Sequence, residues 1–472
     1  MFGLDTGLTL LLLMCLLAAC TFEFINGFHD TANAVATVIY TNSLKPRIAV
    51  IWSGTWNFIG VYFGGIAVAM AIVNLLPVEA LVDNDISHGI AMIMSLICTA
   101  IIWNLTNWRL SIPISSSHSL IGSIFGVGLA YRFLPGSTAV ALNWHKVQDV
   151  GLSLLTSPFI GFFLVLLIMY VLLKTVRKRY RKAFKTPPSG KAPPIWIRSV
   201  MVLACTGISF SHGSNDGQKG VGLIMLILIG IVPGYFALDR SKSPVNMHSN
   251  IVKVDNAIRS IDTTKITLAQ YQSMKVIHGK ADTIERTVSN ITSFDQIPRE
   301  KHFLLRKNIL MLAKDIDMLL KSLSESNSKG LMQNDLVLLK KNVAGLRTNT
   351  EYAPWWVILM VSLSLGMGTM IGWKRIVVTV GERIGKTSLN YAQGATSQIV
   401  AACTIGASSM FGLPVSTTHV LNSGIAGSMV AQKGLSNLQG KTIKNIALSW
   451  VVTLPVTTVL SGSIFLFLRW LL

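Results

Sequence analysis

Residues 24–33 read FINGFHDTAN and place the carboxylate of Asp30 inside a stretch of 35 mostly apolar residues from Leu8 to Asn42. A carboxylate within a bilayer is costly, so a functional role is the first hypothesis for it; a position near the membrane surface or a structural partnership with an amide is the alternative. As one helix, the stretch would be about 50 Å long, too long for a perpendicular crossing. We therefore expect a break near Asn26–Gly27, or two separate spans.

This stretch recurs as FSHGSNDGQK at residues 210–219, an offset of 186. The aligned pairs are Phe24 and Phe210, Gly27 and Gly213, and Asp30 and Asp216. A second pair, PISSSH at 113–118 and PVSTTH at 414–419, recurs at an offset of 301. The offsets differ by 115, close to the 114 residues of the charged segment 239–352. The chain is interpreted as two copies of one unit, the second interrupted by that segment.

Composition predicts a polytopic membrane protein and excludes a soluble enzyme, because 51% of residues are hydrophobic, 13% are charged and mean hydropathy is +0.54. The formal charge of +20 does not indicate nucleic acid, since nine Lys or Arg and no acid fall within residues 174–198, beside an apolar span. The five cysteines lie in apolar segments without disulfide or zinc spacing.

The segment 239–352 carries 18 Lys or Arg and 12 Asp or Glu and is predicted to be a soluble helical insert. Its apolar residues recur at helical spacing; they are Ile251, Val254, Ile258, Ile261, Ile309, Leu312, Ile316 and Leu319. The expected domains are a first repeat (1–176), a basic cytoplasmic linker (177–196), the start of a second repeat (197–238), the insert (239–352) and the remaining repeat (353–472).

Loop charges predict that the copies are inverted, each with about five crossings, and that both termini and the insert lie outside. Basic loops are expected inside, and a loop without a basic residue is expected outside. The inside residues are Lys45, Arg47, Lys374, Arg375, Arg383 and Lys386; those outside are Glu79, Asp83 and Asp85. Inverted repeats are frequent in secondary transporters, with the substrate site between the copies.

The PISSSH and PVSTTH segments favour binding of a tetrahedral oxyanion, because hydroxyls at a helix start add side-chain donors to unpaired backbone N–H groups. Close helix packing by small residues is the alternative. His118 and His419 are candidate proton carriers, and structural hydrogen-bonded histidines are an equal alternative. Carboxylates for a cation and hydroxyls for an anion together indicate a symporter. Glu23, as a proton relay or an interface acid, Asn33, Asn104 and Lys219 are weaker candidates.

At these motifs the sequence resembles the inorganic phosphate transporter (PiT) family, in particular its bacterial low-affinity members. GFHDTANA at 27–34 and, more loosely, GSNDGQKG at 213–220 are similar to the GANDVANA-like family signature. The resemblance implies cation-coupled phosphate uptake, with signature residues binding the cation and hydroxyl clusters binding phosphate. The residues implied are Asp30, Asn33, Asp216, Ser115, Ser116, Ser117, Ser416, Thr417 and Thr418.

Lys219 departs from this signature, standing where the pattern has Asn and opposite Asn33 of the first copy. An ammonium cannot coordinate Na⁺ and would repel it, but it can pair with Asp216 or with phosphate. The hypothesis is therefore coupling to protons. Resemblance to the bacterial members further implies that phosphate travels largely as a neutral complex with Mg²⁺ or another divalent metal.

The sequence thus predicts an all-helical phosphate symporter of the bacterial inner membrane, not an enzyme, with H⁺ as the coupling ion and no tightly bound cofactor. Phosphate and membrane lipids are the expected partners, nucleic acid is not, and a homo-oligomer is left open. A symporter of another tetrahedral oxyanion such as sulfate, a membrane sensor that uses the insert, and a channel are the alternatives.

Overall fold

The computed structural model describes residues 2–76, 86–133, 144–185, 187, 191–325, 333–382 and 384–471. Helices account for the regular secondary structure in these ranges, which contain no β-strand. The chain divides into two compact units. The larger consists of Thr6–Ile227 and Ala353–Leu472, and the smaller of Met1–Asp5 and Leu228–Tyr352.

The larger unit contains the apolar helices. Before the smaller unit these are α1 (Thr6–Tyr40), α2 (Pro46–Phe63), α3 (Ala67–Val73), α4 (Ile86–Arg109), α5 (Ser116–Arg132), α6 (Trp144–Thr175), a 3₁₀ helix (Lys178–Phe184), α7 (Ile195–His212), a π-helical turn (Gly213–Gly217) and α8 (Gln218–Ile231). The last four residues of α8 belong to the smaller unit. After α9 (Pro233–Phe236), α10 (Pro244–Arg259), α11 (Leu268–Val288), α12 (Arg299–Glu325) and α13 (Gln333–Arg347) come α14 (Trp355–Met370), α15 (Lys374–Glu382), α16 (Tyr391–Met410), α17 (Thr417–Lys433) and α18 (Gly440–Leu471). Short 3₁₀ helices occupy Thr263–Lys265, Phe294–Gln296 and Leu435–Asn437.

Five helical stretches among the described residues are long and apolar enough to cross a membrane. They are Thr6–Tyr40, Gly89–Arg109, Lys146–Thr175, Ile195–Ile231 and Gly440–Leu471. A sixth is added if α2 and α3, bent by 72°, are one span. The protein is therefore a multi-pass membrane protein. The predicted ten crossings stay a prediction, because Glu79, Asp83, Asp85 and Arg383 lie outside the described residues.

The break expected near Asn26–Gly27 is wrong, since α1 is one helix of 35 residues. Gly27 has a different purpose: a Cβ there would come within 2.5 Å of the backbone nitrogen of Thr369 in α14. The Thr31 hydroxyl also donates to the carbonyls of Gly27 and Thr369. Gly27 therefore allows two helix backbones to approach closely, as small residues do in membranes. The helix continues through this position because it contains no proline to break it.

The second signature is the distorted one, because Gly213–Gly217 forms a π-helical turn between α7 and α8. Gly213 corresponds to Gly27, and a Cβ there would overlap the backbone carbonyl of Asn57 in α2. Such π-helical turns occur frequently at functional sites because they re-aim side chains. Asp216 lies within this turn, whereas Asp30 lies on a regular helix.

The helices pack crosswise between the halves of the larger unit. The first helix of each half packs on the second helix of the other, α1 on α14 and α7 on α2. The hydroxyl-bearing helices do likewise, α5 on α18 and α17 on α6. Gly126 and Gly427, which are 301 positions apart, face the backbone carbonyls of Thr458 and Phe162. Equivalent glycines therefore permit equivalent close crossings.

In the smaller unit, α10, α11, α12 and α13 form a ring in which each helix packs on two neighbours. All eight apolar residues whose spacing predicted amphipathic helices are buried in its core. Arg306 is also buried and donates to the carbonyls of Ala237 and Thr350, near the two ends of the unit. Burial lowers the pKa of Arg306 to about 10, so it is still charged at neutral pH.

Candidate functional site

The two hydroxyl segments each begin a helix, as their prolines and hydroxyls predicted. Ser115 is the N-cap of α5, and its side chain accepts a hydrogen bond from the backbone N–H of His118. Ser416 caps α17 in the same way, through the N–H of His419. The next two residues of each helix carry N–H groups that have no acceptor within the helix. Each segment thus presents backbone donors and hydroxyls suited to an oxyanion.

Lys219 connects the second signature to both hydroxyl segments. Its ammonium pairs with Asp216, donates to the Ser117 hydroxyl and donates to the carbonyl of Val415 at 3.0 Å. Both charged side chains are at most 3% exposed. Asp216 also accepts from the Thr417 hydroxyl at 2.8 Å. A buried ion pair with this many hydrogen bonds is fully compensated and geometrically fixed.

Asn33 occupies the corresponding place in the first copy. Its side-chain amide donates to the hydroxyl of Thr418 at 2.9 Å. Asn33 aligns with Lys219 at an offset of 186, and Ser117 aligns with Thr418 at an offset of 301. The contacts Asn33–Thr418 and Lys219–Ser117 are therefore equivalent, and each joins a signature of one copy to the hydroxyl segment of the other.

Asp30 breaks this equivalence. Neither of its carboxylate oxygens has a hydrogen-bond partner among the described residues, although the side chain is buried. The hydroxyl of Ser116, which corresponds to Thr417, donates to Asn26 instead. The Asp30 carboxyl nevertheless lies beside that of Asp216, close enough for a hydrogen bond between the two when one is protonated, and it is within electrostatic range of Lys219 and Glu23. The site therefore contains one carboxylate neutralised by an ammonium and, beside it, one to which no amide, hydroxyl or ammonium of the described residues donates.

Glu23 is a buried acid two helical turns before Asp30 on α1. One carboxylate oxygen accepts from the amide of Asn26 at 3.4 Å, and the other has no partner among the described residues. Its side chain lies against Gly220, where a Cβ would overlap the Glu23 carboxyl. Asn104 lies beside the first hydroxyl segment, accepting from Ser119 at 2.9 Å.

His118 and His419 lie together, with ring centroids 4.5 Å apart. A ring nitrogen of His118 is 2.9 Å from the Ser115 hydroxyl, and the His419 ring stacks on Trp450 at 3.8 Å. The Nε2 atom of His419 has no partner among the described residues. These contacts suit a packed structural pair, and the predicted role in proton transfer stays a prediction.

The sequence reasoning missed four polar residues of the signatures. They are Asn26, His29, His212 and Asn215, all buried. The offset of 186 that aligned the aspartates also aligns Asn26 with His212 and His29 with Asn215, and that was the available signal. Asn215 bonds the Ser409 hydroxyl and the backbone N–H of Val415, and so positions the second hydroxyl segment. Both ring nitrogens of His212 are without a partner in the described part of the chain.

Within the described ranges, no group of three or more His, Cys, Asp or Glu could hold a metal ion. The carboxylates of the site are instead surrounded by amides, hydroxyls and one ammonium. This donor set matches the anion-binding and charge-compensating chemistry of the geometry above.

The residues of this site lie within a region that matches a known protein family. Residues 26–461, which include both signatures and both hydroxyl segments, match the model described as the phosphate transporter family. The chain belongs to the phosphate transporter family. The predicted family is confirmed, and with it a non-enzymatic function in the transport of inorganic phosphate across a membrane.

Members of the phosphate transporter family with similar sequences cover nearly the whole chain. The low-affinity inorganic phosphate transporter of Buchnera aphidicola subsp. Acyrthosiphon pisum (strain APS) is 41% identical over 99% of this chain and 97% of its own. The low-affinity inorganic phosphate transporter PitA of Escherichia coli (strain K12) is 38% identical over 98% and 97%. A solved structure named "The sodium-dependent phosphate transporter" has a TM-score of 0.55 at 18% identity, covering 98% of this chain and 100% of that one. That likeness shows the fold alone.

Proposed function

We propose that this protein imports inorganic phosphate by symport with protons. The observation that carries the proposal is the position of Lys219, whose ammonium pairs with Asp216 and donates to Ser117, while no donor group among the described residues bonds Asp30. An internal ammonium already fills the place beside Asp216 that a coupling cation would need. Asp30 is then the carboxylate available to take a proton.

Phosphate would bind between the starts of α5 and α17. The backbone N–H groups of Ser116, Ser117, Thr417 and Thr418 are the donors that the helix starts provide. Among the hydroxyls, Thr418 accepts from Asn33 and its hydrogen has no acceptor in the described residues, so it can donate to phosphate. Ser115 and Ser416 act as caps that hold the two helix starts in shape.

Asp30 also provides a reason for phosphate rather than sulfate. An ionised carboxylate accepts a hydrogen bond from the hydroxyl of HPO₄²⁻, whereas sulfate has no proton to donate. Entry of phosphate with a proton on Asp30 or on the anion would reduce the charge that crosses the bilayer. Glu23, within electrostatic range of Asp216 and Lys219, would pass the proton toward the site, with His118 and His419 as further candidates.

Sodium coupling is disfavoured by electrostatics. The Lys219 ammonium is less than 10% exposed, and a second cation close to it would be repelled strongly in a medium of low dielectric constant. Sodium also needs oxygen ligands, and two of the oxygens near Lys219, on Asp216 and Ser117, are already engaged by its hydrogen bonds. The sodium dependence in the name of the distant structural relative is a property of that protein.

We further propose that the two copies are inverted, with about five crossings each, in a bacterial inner membrane. The crosswise packing of α1 on α14, α7 on α2, α5 on α18 and α17 on α6 supports two equivalent halves, and loop charges support opposite orientations. On this proposal the basic segment 177–196 is cytoplasmic, and 239–352 is a soluble insert on the outer side, between 197–238 and 353–472.

The cargo is proposed to include a divalent metal such as Mg²⁺, which would enter as a neutral complex with HPO₄²⁻. The support is a charge argument, because a neutral complex avoids moving a dianion through a site that already holds the carboxylate of Asp30. The proposal involves no tightly bound cofactor. Contacts with bilayer lipids and assembly into a homo-oligomer are compatible with the exposed apolar helices.

The proposal is tested with purified protein in proteoliposomes loaded to impose one gradient at a time. Uptake of labelled phosphate should follow an inward proton gradient and should not respond to a sodium gradient. Arsenate should compete and sulfate should not. Mg²⁺ should stimulate uptake if the metal complex is the cargo. Uptake that follows sodium and ignores the proton gradient would overturn the coupling.

A further inference from the structure

The basic segment between α6 and α7 has a two-sided local structure. In the 3₁₀ helix Lys178–Phe184, Tyr180, Ala183 and Phe184 line an apolar cavity. Arg181 and Lys182, from the same short helix, are exposed to the surroundings. A short helix with one apolar and one basic face is the pattern of a segment that lies at a membrane interface.

The cavity has a volume of about 290 Å³ and belongs entirely to the larger unit. Its walls come from the end of α6, the 3₁₀ helix, the start of α7 and the start of α16. The lining is almost entirely apolar, with Leu172, Val200, Ala392 and Ile399 among its side chains. This space matches an aliphatic chain and offers little to a polar ligand.

Two aromatic residues mark the depth of this cavity in the bilayer. Trp196 and Tyr180 line it and pack edge to face, with ring centroids 5.6 Å apart. Each is almost half exposed, at 45% and 44%. Trp and Tyr concentrate where acyl chains meet headgroups, so the mouth of the cavity is expected at headgroup level.

We propose that the cavity and the basic face form a binding site for an anionic phospholipid of the surrounding bilayer. An acyl chain occupies the cavity, and Arg181 and Lys182 hold the headgroup phosphate. The segment 174–198 supplies nine Lys or Arg and no acid, so the electrostatic complementarity is to a lipid with net negative charge. A zwitterionic lipid would fill the cavity without this attraction.

The test is fluorescence quenching by brominated phospholipids in proteoliposomes of the full chain. Bromine on an acyl chain quenches a nearby indole, and subtracting the signal of the Trp196→Phe variant isolates Trp196. Brominated phosphatidylglycerol should quench this component at a several-fold lower mole fraction than brominated phosphatidylcholine. Equal quenching by the two lipids in the native protein would overturn the proposal without any variant.

Two variants locate the site. Arg181→Gln with Lys182→Gln should remove most of the several-fold preference for phosphatidylglycerol, because one basic residue near an anionic headgroup contributes up to about fivefold. Lys441→Gln with Lys444→Gln removes the same charge from exposed positions in α18 and should leave the preference unchanged. Ala392→Phe, which fills the cavity, should lower quenching by both lipids. An unchanged preference in the first pair, or unchanged quenching in Ala392→Phe, would overturn the assignment.

Discussion

Lys219 donates a hydrogen bond to Ser117, and this contact joins the signature of the second copy to the hydroxyl segment of the first. The equivalent contact in the other direction, Asn33 to Thr418, uses a neutral amide. The same architecture therefore holds a cation on one side and no charge on the other. In line with that difference, Asp216 accepts from the ammonium of Lys219 and the hydroxyl of Thr417, whereas no donor group among the described residues bonds Asp30.

The two aspartates should respond differently to neutralisation. Asp216→Asn leaves the buried ammonium of Lys219 without its counter-ion, which destabilises a protein by about 3–5 kcal/mol. Asp30→Asn removes a charge to which no donor group in the described part of the chain bonds and which lies beside the carboxylate of Asp216, so the folded protein should keep its thermal stability while phosphate uptake is lost. Thermal unfolding in detergent and initial uptake rates, measured on both variants, check this.

The double variant Asp216→Asn with Lys219→Met is the control, because it removes both charges and should recover stability without recovering uptake. Equal loss of stability in Asp30→Asn and Asp216→Asn would contradict the distinction between the two carboxylates.

Lys219→Asn gives the second copy the same side-chain amide that the first copy has at the aligned position, Asn33. With the ammonium gone, Asp216 becomes available to a cation, so uptake should gain a response to sodium and lose much of its response to a proton gradient. Lys219→Arg keeps the charge and should remain insensitive to sodium. If Lys219→Asn still transports with protons alone, Lys219 does not determine the coupling ion.

Thr418 should be the hydroxyl that contributes most directly to phosphate affinity, because its hydrogen is not used within the described protein. Thr418→Val keeps the shape and removes the hydrogen bond to phosphate, about 0.5–1.5 kcal/mol, so KM for phosphate should rise about 2- to 13-fold. The same variant leaves the buried amide of Asn33 without the acceptor it has in Thr418, so thermal stability should fall as well. Thr418→Ser retains the hydroxyl and should stay near the native KM. A native KM in Thr418→Val would show that phosphate binds elsewhere.

The signature glycines should be intolerant of a methyl group. Gly27→Ala and Gly213→Ala would place Cβ against the backbone of α14 and α2, and such overpacking destabilises by about 1–3 kcal/mol. Gly151→Ala in α6 meets no atom within 4 Å and is the matched control. The temperature of thermal unfolding should fall in the first two variants and should stay the same or rise in Gly151→Ala. Equal effects in all three would contradict the packing role.

Removal of residues 240–348 should leave phosphate transport intact. The backbone N–H of Asp239 donates to the carbonyl of Asn349 at 2.8 Å, so a linker of a few residues can close the gap. The measurement is the initial uptake rate per reconstituted protein. Loss of transport from a well-folded deletion would favour the sensor alternative.

A partial deletion gives the contrast. Removing α11 alone, residues 268–288, would expose the apolar core of the smaller unit, so it should cause misfolding even though fewer residues are lost. Equal behaviour of the two deletions would mean that the smaller unit does not fold around a common core.

Much of the site could be predicted from the sequence because the motifs occur twice. The spacing of residues along the chain aligns Gly27 with Gly213, and it aligns the two hydroxyl segments with each other. The start of each hydroxyl helix also followed, since a proline followed by a hydroxyl N-cap is a local signal. The break in α1 was wrongly expected because helix length says nothing about what a glycine packs against.

The sequence by itself determined that this chain crosses a membrane, that two pairs of motifs recur in it and that each hydroxyl segment begins a helix, because hydropathy, motif recurrence and capping can be read along the chain without knowledge of its folding. Only the tertiary structure decided that Lys219 neutralises Asp216 and that no donor group among the described residues bonds Asp30. The contacts that join the copies link residues about 100 to 385 positions apart, and at such separations the crossing of helices, not the order of residues, selects the partner.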